Sequence, residues 1–233
     1  MGRRVVVTAS TSDPRTARTA RTALDQVAIW AGLIGAGVIA LASIVTAITY
    51  TGAKGEQYSP LNHFVSELGE LGVSELARVF NASLIIGGVC FVLFMLGLAA
   101  TRGGRLRFAY GATGVIAGIG GAFVGVFPMN DLDRHSVAAL TFFVLGLVTV
   151  LLASVDFVRV RDSRFPRWLS AIGGATVVAF AIFLAILVGE AGGLAHPEER
   201  VAVWPLTIFE WLLIVGILGW VFLTALAWQR ATR

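Results

Sequence analysis

Six long apolar stretches, each bounded by charge, glycine or proline, constrain this chain more than any other feature. A helix needs about 20 mostly apolar residues to cross a bilayer. Residues 27–49, 76–100, 108–127, 135–155, 168–189 and 203–228 all meet that length. The breaks between them carry turn and charge signals: Gly103-Gly104, Pro128, the run from Arg161 to Pro166, and His196-Pro197. Only 14% of residues are charged and 57% are hydrophobic, whereas a soluble domain is roughly a quarter charged. The spacing therefore predicts an all-α fold, a polytopic bundle of six transmembrane helices. Residues 25–233 form the membrane domain and residues 1–24 a disordered, basic cytoplasmic tail.

The net charge of +4 and a pI near 10 do not indicate nucleic acid. The basic residues lie between apolar segments, where they act as topology markers. Arginines crowd the N-terminal tail, the 101–107 loop, the 159–167 loop and the C-terminus. The alternate loops are poor in them and rich in acids. The positive-inside rule then puts both termini in the cytoplasm of a plasma-membrane protein. Cys90 is the one cysteine and lies inside an apolar stretch, so no internal disulfide forms.

This topology sorts the reactive side chains. His63, His135 and His196, the only histidines, all fall on the outer side with most of the acids. The stretch "YSPLNHFVSELGELG" reads as a short amphipathic helix in the first outer loop. Ser59 would cap it and Pro60 would open it. Leu61, Phe64, Val65 and Leu68 would form its apolar face, and Asn62, His63, Ser66 and Glu67 the polar one. Asp133 is expected to cap the fourth span, placing His135 in its first turn. Glu210 lies about 10 Å below the outer end of the sixth span. A carboxylate at that depth needs a partner or water, and Arg78 at the matching end of the second span is a candidate.

Histidines and carboxylates converging from several loops can do acid–base chemistry or hold zinc with an open position for water. The catalytic candidates are His63, Ser66, Glu67, His135 and Glu210. The ligand-binding candidates are Asn62, Arg78, Asp131, Asp133 and Glu190. His63, His135 and His196 are the candidate zinc ligands. The reading is an outer-mouth polar pocket, directed at membrane lipids or other amphiphiles, in a hydrolase or transferase. The alternatives are a non-enzymatic accessory, structural or sensor subunit, and a small-molecule or proton-coupled transporter.

The segments "SPLNHFVSELGE", "FNASLIIGGVCFVLFMLGL" and "GIGGAFVGVFPMNDLDRHSVAALTFF" resemble domain of unknown function 998, a family of bacterial and archaeal multi-span membrane proteins. The resemblance runs from Trp30 to Trp228. His63, Ser66, Glu67, Leu68, Gly69, Pro128 and His135 fall on its pattern. It implies a multi-span helical fold and an outer-face cluster, and carries no assigned activity.

Overall fold

A computed structural model describes the backbone of residues 14–189 and 200–233, and side chains from residue 23 onward. Six α-helices account for most of it: α1 (Pro14–Thr49), α2 (Ala77–Thr101), α3 (Leu106–Val126), α4 (Leu132–Arg159), α5 (Trp168–Gly189) and α6 (Pro205–Thr232). All six are long and apolar enough to cross a membrane, with the α1 span running Ala23–Thr49. The fifth span matches its sequence expectation, and the other boundaries move by no more than four residues. Helix α1 starts at Pro14, inside the segment read as a tail.

Each helix packs on its chain neighbour, and α6 closes on α1, so the bundle is a ring. Its interior is filled by side chains such as Phe94, Phe143, Phe180 and Trp220. Side chains such as Ile48, Val79, Val137 and Val188 stay exposed on the rim, as expected of a surface solvated by lipid. Small residues set the closest approaches. A Cβ on Gly88 would lie 2.6 Å from the Gly118 carbonyl oxygen of α3. The α2 and α3 backbones therefore touch there, and any side chain at Gly88 would push them apart.

The ring has two differently built ends. One carries the long connection 50–76. Among the described residues, the only β feature is the isolated bridge between Thr51 and Gln57 in that connection. The short helix of this loop is a 3-10 turn, η1 (Val65–Gly69), seated against α1, α2 and α6. The amphipathic α-helix expected from Ser59 to Leu68 is not what forms. Residues 60–63 make a separate turn, in which the Asn62 and His63 N–H groups donate to the Ser59 carbonyl at 3.1 and 2.9 Å. Phe64 is then extended (φ −66°, ψ 149°). That break turns Phe64, Val65 and Leu68 inward but carries His63 and Glu67 inward too. Leu61, assigned to the apolar face, is exposed instead.

Candidate functional site

The 50–76 loop is tied to both other connections at its end of the bundle. Asn130, between α3 and α4, accepts from the Leu71 N–H at 2.8 Å and donates to the Leu71 carbonyl at 2.9 Å. Trp204, just before α6, donates its N–H to the Leu61 carbonyl at 2.7 Å, and Asn62 Nδ2 donates to the Val201 carbonyl at 3.0 Å. Arg200 supplies the charge. Its guanidinium holds Glu67 through Nη2–Oε2 at 2.9 Å and Nη1–Oε1 at 3.2 Å, and donates to the Asn62 carbonyl at 2.8 Å. Burial opposes the Arg200 charge, but the hydrogen bonds and charge of Glu67 outweigh it and raise its pKa.

Glu67 is completely buried and also accepts the Phe64 N–H at 2.8 Å. Glu210 takes the next amide along, Val65 N–H, at 2.7 Å. Two carboxylates 143 positions apart thus satisfy consecutive backbone donors at the start of η1. This is the partner that Glu210 requires at its depth. Arg78 does not supply it: it is exposed at the start of α2.

His63 is buried in an aromatic nest, with ring centroids 5.5 Å from Tyr50 and 5.0 Å from Tyr58. Its Nδ1 lies 2.8 Å from Asn62 Oδ1 and 3.2 Å from the Ser59 amide. Its Nε2 is buried without a hydrogen-bond partner. Burial lowers the His63 pKa, against the opposing pull of Glu67. Tyr58 stitches the nest to α6: its hydroxyl donates to the Phe64 carbonyl at 2.9 Å and accepts from Trp211 Nε1 at 2.9 Å. Burial raises the Tyr58 pKa, with Glu210 adding to it, so the hydroxyl stays protonated.

Beneath η1 lies an internal cavity of about 100 Å³, continuous with the outside. Its walls come from α1, α2, α3, α4 and α6. On α6 the lining reaches from Glu210 to Val221, eleven steps along the helix and a depth of roughly 16 Å at 1.5 Å per residue. The lining is apolar except at one end, where Ser66, His135 and Glu210 are its only polar side chains other than glycine backbone. His135 donates Nδ1–H to the Phe127 carbonyl at 2.8 Å, which leaves Nε2 as the acceptor of the ring. Glu210 receives only the Val65 N–H, so Oε1 is unclaimed. Ser66 Oγ has only the weak acceptor Met129 Sδ, at 3.2 Å.

The candidates therefore divide. Ser66, His135 and Glu210 share the cavity. His63, Glu67 and Asn62 belong to the Arg200 network above it. Asp131, not Asp133, caps α4, accepting the Arg134 N–H at 3.3 Å. The cap shifts because the Asp131 amide closes a turn onto the Pro128 carbonyl at 2.9 Å, which starts the helix two residues early. Asp133 is exposed in a shallow groove between α3 and α4, away from the cavity. Glu190 and His196 lie outside the described residues. Among the described residues, no group of three or more His, Cys, Asp or Glu side chains is placed to hold a metal ion.

Sequence reasoning missed Arg200, Tyr50, Tyr58 and Trp211. Arg200 carried a signal, being one of few basic residues on the acid-rich side. The aromatic residues carried none, because their roles depend on a fold of the loop that periodicity does not encode.

Fold and site together define a multi-pass helical membrane protein with an internal cavity polar at one end. The profile of the DUF998 family, described as a protein of unknown function, matches residues 38–227, and the chain belongs to that family. No curated protein and no solved structure is detectably similar to it.

Proposed function

We propose that this protein takes a single-chain membrane amphiphile into the bundle and acts on it as a hydrolase or transferase. The apolar chain would fill the cavity, and the head group would sit at Ser66, His135 and Glu210. One observation carries the reading: a cavity roughly 16 Å deep, apolar along its length, ends at three polar side chains with unused hydrogen-bonding capacity. That depth is about half the ~30 Å hydrocarbon thickness of a bilayer, the reach of one leaflet's chain. A carboxylate and an imidazole inside a membrane are costly and mark function by default. His135 Nε2 is a base held in one tautomer, and Glu210 is a carboxyl lining the same cavity from α6, the two kinds of group a proton transfer needs.

The Arg200–Glu67 network would then be the fixed roof of that site rather than its chemistry, since its groups are spent on one another. The arginine distribution supports an outward-facing roof with both termini cytoplasmic, in a protein of the plasma membrane. The test is native mass spectrometry of protein extracted in mild detergent with total membrane lipid. One amphiphile should bind per chain. Ala139→Phe, which fills the cavity wall, should abolish the adduct while thermal unfolding stays cooperative. An adduct that survives both Ala139→Phe and Ala36→Leu would overturn the reading.

A further inference from the structure

The cavity has no cation. Among the described residues neither Arg nor Lys lines it, and the guanidinium of the roof, Arg200, is committed to Glu67 and the Asn62 carbonyl. Two of the backbone N–H groups at the cavity end are already spent, which leaves the neutral Ser66 N–H beside them. The Val65 amide donates to Glu210, and the Phe64 amide to Glu67. The side chains that remain are mainly acceptors. Glu210 Oε1 has no donor, and His135 Nε2 is left as acceptor because Nδ1 is fixed on the Phe127 carbonyl. Ser66 Oγ serves in either sense, since its present acceptor is a thioether.

Resting on the amphiphile reading above, we propose that this end of the cavity selects head groups that donate hydrogen bonds. It would take a neutral long-chain alcohol or glyceride, or a long-chain amine, and reject phosphate and carboxylate head groups. An anionic head would meet the Glu210 carboxyl and an imidazole lone pair with no cation to compensate, in a setting of low dielectric where unpaired charge is most costly. A hydroxyl or ammonium head meets acceptors that are otherwise unsatisfied. The selection lies in the chain's own side chains and needs no bound ion.

Three probes with the same fourteen-carbon chain separate the outcomes: monomyristoylglycerol, tetradecylamine and tetradecyl phosphate. Each is titrated onto the purified protein in detergent at neutral pH and followed by native mass spectrometry. The glyceride, the amine or both should bind at least about tenfold more tightly than the phosphate. In Glu210→Gln the amide oxygen can still accept the Val65 N–H, but an NH₂ donor replaces the unclaimed oxygen. The amine should then lose about tenfold and the phosphate should gain. A preference for the phosphate in the unmodified protein, or an unchanged order in Glu210→Gln, overturns this inference and leaves the amphiphile reading standing. Failure of all three to bind, with no effect of Ala139→Phe, overturns the amphiphile reading itself.

Discussion

Arg102 and Arg200 stand at opposite ends of the ring, each gripping a buried carboxylate. Arg102, with its side chain fully buried, donates from Nε to Asp156 Oδ2 at 2.8 Å and from Nη2 to the carbonyls of Asp156 and Val160. Asp162 lies 3.4 Å from its Nη1, and the rings of Phe157 and Phe165 cover it at 5.3 and 5.1 Å. Arg164 extends the set through Asp162 to Thr101, and Thr101 donates to Asp25 of α1. The Arg102 and Asp156 charges are paired and aromatic side chains fill the space around them, although Arg102 Nη1, Arg107 Nε and the Tyr110 hydroxyl make no hydrogen bond there. At the other end Arg200 remains 21% exposed, and beneath its network lies the cavity, where Glu210 accepts one hydrogen bond, from Val65, among the described residues. A buried ion pair set in packed aromatics closes a bundle. A network laid over an apolar cavity with unspent acceptors leaves room for something else.

The comparison breaks most directly at Asp156. Asp156→Ala strands a guanidinium with no exposure to water, which typically costs about 3–5 kcal/mol. Thermal or denaturant unfolding in detergent should show that loss across the whole molecule. A loss under about 1 kcal/mol would mean that the closed end is not what holds the helices together.

Glu67→Gln comes next. The amide oxygen can still accept the Phe64 N–H, but the charged half of the Arg200 pair is gone. The expected cost is about 1–3 kcal/mol, the range for a lost charged hydrogen bond. The damage should be local, with faster proteolysis within residues 50–76 before any global unfolding. Global loss matching that of Asp156→Ala would erase the distinction between the ends.

How much of this was legible in the sequence differs between the ends for a physical reason. Helical spans follow from the length of apolar runs, a local property, and all six were readable. The depth of Glu210 was readable by counting from the end of its run. Its partner was not, because Val65 N–H becomes free only when Phe64 leaves helical geometry. That break follows from the burial of Phe64 and Leu68 against α6 and α2, which is tertiary. Arg200 and Glu67 are 133 residues apart, and no periodicity relates them. The stretch from Leu61 to Leu68 has helical spacing, yet packing overrode it, so a face that looked solvated became the roof of a cavity.

A subtler difference between the ends shows with pH. Burial holds the folded His63 pKa below its ordinary 6.5, so the unfolded chain binds a proton there before the folded one does. Stability from the neutral ring is complete above about pH 6.5 and is lost as pH falls through the lowered folded value. Glu67, Glu56 and Arg200 surround that ring electrostatically. Glu56 is held below its usual 4.5 chiefly by backbone amides, so its contribution declines only at lower pH. Unfolding temperature should therefore drop between pH 7 and 5, and His63→Gln should flatten that slope. An identical slope in the variant would show that the aromatic nest does not keep the ring neutral.

The smallest expected change belongs to Ser66. Its hydroxyl donates only to a thioether, 3.2 Å away, so Ser66→Ala should alter stability by less than about 0.5 kcal/mol, within the range for sites outside any critical contact. The same substitution removes one of three polar groups from the cavity end. Unchanged unfolding with weakened amphiphile binding places Ser66 on the ligand side of the division between the ends. Unfolding that falls as far as in Glu67→Gln would place it in the roof, and the cavity would lose one of its three polar anchors.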